Sequence, residues 1–211
     1  MKIAIIGAGI FGITTAIILG KKNDVELFEK NDDILKSASG SNQYRVHRGY
    51  HYPRSPETVR GIVESENSFR ELFSKAIVTN NEHFYCISKN NSLTSSQQFI
   101  DFCKKYNLEI EKASLDCVNK NSIDLCVRVK ESIYDPKILK EISMDLMEKN
   151  KIKIHLNTKA TESILDEFDK IIVCTYANLN ELLTKFPNSQ NEYQFELCEK
   201  PVVKLPDSFK N

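Results

Sequence analysis

Arg45, His47 and His51 lie within Ser39–Ser55, SGSNQYRVHRGYHYPRS, where three Arg, two His and three Tyr crowd into one short segment of a chain with zero formal net charge. Cationic and imidazole groups among aromatic rings suit three chemistries: phosphate contact with base stacking, metal ligation, or a small-molecule pocket in which Arg or His steadies negative charge. The 29 basic and 29 acidic residues cancel, so no global field draws nucleic acid or an anionic membrane, and nothing elsewhere extends the patch. His47 and His51 would share a face on a helix, but Gly49 and Pro53 oppose a helix there. In a strand four residues span ~13 Å, too far for one ion, so no metal site is expected. Strand alternation instead places Arg45, His47, Gly49 and His51 on one face, with Tyr44, Val46, Arg48, Tyr50 and Tyr52 on the other. Gly49 would let a flat ring approach the backbone, flanked by Arg45, His47 and His51 as candidate catalytic groups. For any one of these residues a structural role stays open: His47 satisfied in the core, Arg48 and Arg54 solvated, the tyrosines packed.

The elements that must position such a pocket begin at the first residue. Lys2 to Ile6 is a short β-branched run of the kind buried on both faces of a parallel sheet. Gly7, Gly9 and Gly12 follow in GAGIFG, then ITTAIILG, which reads as a buried helix ending at Gly20. DVELFEK reads as a second strand ending near Glu29. A glycine triplet alone is weak evidence. Here the strand before, the helix after and the acid at the end of the second strand are all present. Gly7 permits the tight turn, Gly9 lets backbone approach a pyrophosphate, and Gly12 lets helix pack on strand. The helix N-terminus offers N–H groups and a positive dipole to phosphate. Glu29 is placed to accept from a ribose diol and would repel a 2′-phosphate, which favours NAD or FAD over NADP.

NDDILKSASGSN then replaces the strand and helix that a nicotinamide dehydrogenase would usually bring next, with a polar loop able to wrap a second side of the pyrophosphate. IAIIGAGIFGITTAIIL, VELFEK and SGSNQYRVHRGYHYPRS together resemble the N-terminal part of FAD-dependent oxidoreductases of the D-amino-acid oxidase and glycine oxidase type. YDPKILKEISMDLMEKNKIKIHLNTKATES and FDKIIVCTYANLN resemble later segments of the same family. The resemblance implies an α/β fold, a Rossmann-like FAD/NAD(P)-binding parallel sheet with an inserted, mainly antiparallel substrate-side layer. It implies FAD as cofactor, lined by Gly7, Gly9, Ile10, Phe11, Gly12, Glu29, Lys30, Ser41 and Asn42, with Ala160 and Thr175 near the adenosine half. It also implies hydride transfer to the flavin N5 from an amine- or hydroxyl-bearing carbon of a small-molecule substrate. Family members carry a further glycine-containing segment over the flavin ring, whereas EKPVVKLPDSFKN resembles the middle of a member. A truncated or split product, or a second polypeptide completing the flavin site, is the expectation that follows. The competing readings are a non-catalytic, partner-dependent flavoprotein fragment and an NAD-dependent dehydrogenase.

The rest of the chain reads as interleaved domains: 1–78 and 136–211 for the nucleotide, 79–135 as the insertion. Val59, Ile62, Val63, Phe69, Leu72 and Phe73 give helical spacing over 57–75. EHFYCIS reads as a strand, SSQQFIDFCKKYN as a helix and IDLCVRVKESIYD as one long strand. Pro136 opens the next helix, where its missing N–H does no harm, and KIKIHL and KIIVCT supply further strands of the nucleotide sheet. Six widely spaced cysteines with no C-x-x-C fit reduced thiols in a cytosolic protein, and no run reaches the ~20 apolar residues of a membrane span. A cytoplasmic location follows, with neither membrane nor nucleic acid as partner.

Overall fold

The computed structural model describes residues 1–184 and 187–194, together with Glu199, Lys204 and Pro206. Cys198 and most of the segment EKPVVKLPDSFKN lie outside the described residues. In chain order the elements begin with β1 (Lys2–Ile6), α1 (Ile10–Gly20), β2 (Asp24–Phe28), β3 (Arg45–Val46), α2 (Pro56–Phe73), β4 (Ile77–Val78) and β5 (His83–Ser88). They continue with α3 (Ser96–Lys105), β6 (Ile110–Lys112), β7 (Ile123–Val129), β8 (Ser132–Tyr134), α4 (Pro136–Lys149), β9 (Lys153–His155) and β10 (Lys170–Val173). The chain divides into two compact units, Met1–Asn42 with Ser143–Asn211, and Gln43–Ile142.

The first unit is built on a parallel sheet of strand order β10-β1-β2-β9. Ile3 to Ile6 of β1 are all buried, as a central strand covered on both faces requires. The strand–turn–helix–strand order expected of the first thirty residues is therefore present, and α1 joins two parallel neighbours as a crossover must. α1 departs from the expected fully buried helix. Gly12, Ile13, Ala16 and Ile17 are buried, while Phe11 is 78% and Ile18 51% exposed on the other side. At the sheet's edge, His155 stacks on Phe28 with ring centroids 4.6 Å apart, and its Nε2 lies 2.7 Å from Glu26.

The second unit holds two antiparallel sheets, β3-β8-β4 and β5-β7-β6. Its core gathers Tyr50, Val59, Phe99, Phe102, Leu108, Leu125, Val127 and Val129. The unit is larger than the insertion expected from the sequence: residues 43–78 join it because β3 and β4 both pair with β8. The long strand expected over IDLCVRVKESIYD is also corrected. It breaks at Lys130 and Glu131 into β7 and β8, which belong to different sheets. Helices stand where the apolar spacing places them. α2 keeps Val59 and Phe73 buried, though Val63, expected on the same face, is 51% exposed. α4 starts at Pro136, with Asp135 Oδ1 accepting from the amides of Lys137 at 2.8 Å and Ile138 at 3.2 Å.

Candidate functional site

In the first unit the site starts where β1 ends. Gly7 has φ +103°, and a Cβ there would lie 2.6 Å from the carbonyl oxygen of Cys174, so a side chain is excluded on both counts. A Cβ on Gly12 would collide with the Gly7 carbonyl, the close helix–strand approach its position in the motif calls for. Gly9 caps α1 without a side-chain hydrogen bond, and the first turn carries no acidic residue. A helix end of this kind presents unneutralised N–H groups. Among them the Ile10 amide donates to Ser39 Oγ at 3.0 Å.

Glu29 follows directly on β2 and is only 8% exposed. Its Oε2 accepts from the Ala8 amide at 2.8 Å, and its Oε1 accepts from the Asn31 amide at 2.9 Å and from Asn31 Nδ2 at 2.7 Å. A carboxylate offers about four acceptor positions, so Oε2 keeps one for a hydroxyl donor. Thr175, just after β10, has a buried Oγ1 without a partner, and its backbone nitrogen lies 3.5 Å from where a Gly7 Cβ would stand. The loop between is closed by Asn42, whose Nδ2 donates to the carbonyls of Ala38 at 3.1 Å and Ser39 at 2.9 Å. Ile10 is half-buried, Lys30 and Ser41 are exposed, and Ala160 packs with Ala4, Ile6 and Phe28 beneath the sheet. The turn thus brings together Gly7, Gly9, Gly12, Glu29 and Thr175. Phe11 points to solvent, and Ser39, not singled out from the sequence, is the hydroxyl that reaches the helix end.

The segment containing Arg45, His47 and His51 does not form the strand assumed for it. β3 ends at Val46. Gly49 has φ +109°, and the Tyr52 amide donates to its carbonyl at 2.9 Å, closing a turn. His47 and His51 consequently approach, with ring centroids 5.7 Å apart, closer than an extended chain allows. Among the described residues no group of three or more His, Cys, Asp or Glu could hold a metal ion. Tyr50, placed on the opposite face by alternation, is fully buried, and its hydroxyl donates to the Glu109 carbonyl at 2.7 Å.

What organises this cluster is Glu131, at the break between β7 and β8, whose side chain is wholly buried. Its Oε2 accepts hydrogen bonds from Arg45 Nη2 and from the Tyr85 hydroxyl at 3.3 Å. Its Oε1 accepts from the Arg48 amide at 3.0 Å and stands 3.7 Å from His47 Nδ1. Burial alone would raise the Glu131 carboxyl, but His47, the Arg48 amide and the Arg45 charge outweigh it and hold the group at about 2. Arg45 Nη2 also donates to the Tyr85 hydroxyl at 2.6 Å, and burial, then Glu131, pushes that phenol above its ordinary range. Partial desolvation, then the neighbouring His47 and Arg45, lowers His51. Arg48, expected in solvent if structural, instead lies 3.4 Å from Glu66. Arg45 is therefore committed to a buried carboxylate that no local pattern announced.

The model of the FAD dependent oxidoreductase family, DAO, matches residues 2–196. The chain belongs to this family. Its cofactor is accordingly FAD, and the glycine turn, the carboxylate at Glu29 and the unpartnered Thr175 Oγ1 fit a dinucleotide. Over 109 residues the chain is 32% identical to the FAD-dependent monooxygenase kojA of Aspergillus flavus, a stretch covering 49% of this chain and 26% of that protein. The FAD-dependent monooxygenase FPY4 of Fusarium mangiferae is 26% identical over 135 residues, covering 63% of this chain and 36% of that one. Glycine oxidase from Bacillus cereus has the same fold, with a TM-score of 0.66 at 16% identity over 88% of this chain and 58% of that one. The match thus spans only about a quarter to a third of the curated relatives' length. No helix among the described residues is long and apolar enough to cross a membrane.

Proposed function

We propose that this oxidoreductase oxidises a carbon bearing an amine or hydroxyl in a small-molecule substrate. When bound, FAD supplies the acceptor for a hydride at its N5. Gly7, Gly9, Ile10, Phe11 and Gly12 would carry the backbone past the pyrophosphate, and Glu29 Oε2 would accept from a ribose hydroxyl. Thr175 Oγ1 would gain the partner it lacks, while Lys30, Ser41, Asn42 and Ala160 would line the outer part of the same cradle. On the substrate side we assign His51 to the proton. Its lowered pKa keeps the ring neutral at neutral pH, so a ring nitrogen can take the proton of the amine or hydroxyl. Arg45 and His47 then act through Glu131, as the pair that fixes the turn carrying His51. A second polypeptide remains a proposal, tested by whether one co-purifies.

The observation that carries this reading is the Glu29 carboxylate buried at the glycine turn and hydrogen-bonded to the Ala8 amide. FAD titration of the purified chain, followed by visible absorption and flavin fluorescence, tests it. Glu29→Ala removes a charged acceptor worth about 1.5–3 kcal/mol, so FAD should bind tenfold or more weakly. Bleaching of the flavin band by a panel of amino and hydroxy acids then identifies the substrate class. A chain that takes up no FAD, or that NAD protects against unfolding where FAD does not, would overturn the proposal.

A further inference from the structure

Cys86 of β5 and Cys126 of β7 are directly opposite each other in the antiparallel pair. The Cys126 carbonyl accepts from the Ala113 amide at 3.0 Å, on the β6 side. The N–H and C=O of one strand residue point to the same neighbour, so Cys126 makes no ladder bond to β5. The two cysteines therefore form a non-hydrogen-bonded pair, the arrangement in which Cα atoms lie ~4.5 Å apart and side chains stand closest. Disulfides span Cα separations of ~4.4–6.8 Å. The Cys126 thiol is also close enough to act on that of Cys86, raising its pKa. Tyr85 and Ile87 on either side pack against the core, so alternation turns Cys86 away from it. Cys86 is exposed, on a strand at the edge of its sheet, and Cys126 is half-buried on the central strand. Cys103, by contrast, is buried in the core.

We propose that Cys86 and Cys126 are a reversible thiol–disulfide site that exchanges with small disulfides of the glutathione class. One thiol loses its proton and attacks a sulfur of the small disulfide, whose S–S bond breaks to release one small thiol. The second cysteine, deprotonated in turn, attacks the mixed disulfide and releases the other. The two protein thiols are oxidised to one S–S bond, and the small disulfide is reduced to two thiols. Partial desolvation, then the neighbouring Cys126 thiol, raises the Cys86 thiol to about 11. Exchange is thus slow at neutral pH and accelerates as pH rises. Once formed, the bond closes the chain from β5 round through α3 and β6 to β7, a long loop whose cross-linking restricts the unfolded chain.

The test equilibrates the full chain with FAD in glutathione buffers of graded oxidation, quenches by alkylation and maps the peptides. Expected are a Cys86–Cys126 cross-linked peptide, loss of two titratable thiols, recovery of both with dithiothreitol, and a higher unfolding midpoint for the oxidised form. Cys86→Ser should leave Cys126 trapped as a glutathione mixed disulfide. The proposal is overturned if both cysteines of the unsubstituted chain stay alkylatable in the most oxidising buffer. It is equally overturned if either stops at a mixed disulfide or is linked to the neighbouring Cys117.

Discussion

Two carboxylates define the chemistry of individual residues in this chain, and they differ in how a sequence announces them. Glu29 follows a glycine turn at a spacing fixed by one helix and one strand, so its place beside that turn could be read from local order, and the structure buries it against the Ala8 amide. Glu131 is 86 residues from Arg45 and 83 from the Arg48 amide it binds; only the pairing of β3 with β8 brings them together. No period or motif encodes that contact, which is why Arg45 reads from sequence as a free cation. Removing one partner of a buried ion pair leaves the other uncompensated. Glu131→Gln should therefore destabilise the chain by about 3 kcal/mol, seen as a lower urea midpoint at unchanged slope. If the midpoint holds, Glu131 does not anchor the turn and the argument that His51 is positioned through it fails.

At the scale of elements, legibility followed the range of the interactions. α3 is set by its own ends: Ser95 Oγ accepts from the Gln98 amide at 3.2 Å, and the Ser95 amide donates to Gln98 Oε1 at 2.8 Å, a reciprocal capping box. Helix spacing and this cap are both local, and the expected helix is present. Ser95→Ala should lose about 1 kcal/mol of stability, measured by chemical unfolding, with Ser95→Asp retaining most of it. β3 is the opposite case. Alternation of residue types over 44–52 suggested a strand, but the positive φ at Gly49 and the fit of Tyr50 into the core turn the chain after Val46. Likewise the apolar alternation that runs through IDLCVRVKESIYD continues across a sheet change, because a polar residue within a strand pattern does not say whether it faces solvent or a buried Arg. Cys86 and Cys126, forty residues apart, meet for the same reason: strand register, not sequence spacing, makes them neighbours.

For the whole molecule, the ionisable groups of both units that titrate below neutral pH act in one direction. His51 and His83 are lowered from 6.5, in each case first by desolvation. The native state therefore favours their neutral forms, and the unfolded chain binds protons that the native chain refuses as pH falls below 6.5. Their stabilisation is complete above that value and is lost on its acid side. Glu131 is held at about 2 against an ordinary 4.5. In the first unit Glu26 is also lowered, because His155, Lys153 and Lys2 outweigh the burial that would raise it. Both carboxylates stabilise fully above 4.5, and protonation of the unfolded chain removes that contribution as pH falls from there toward the native values. The expected profile is a stability plateau near neutral pH, a first decline below 6.5 and a steeper one below 4.5. Urea midpoints collected at intervals down to about pH 3 would trace it, with the slope at each pH giving the protons taken up on unfolding. His83→Gln should flatten the first decline and leave the second, whereas Glu131→Gln should flatten the second. A profile with a single step, or one unchanged by both substitutions, would place the acid sensitivity outside these groups.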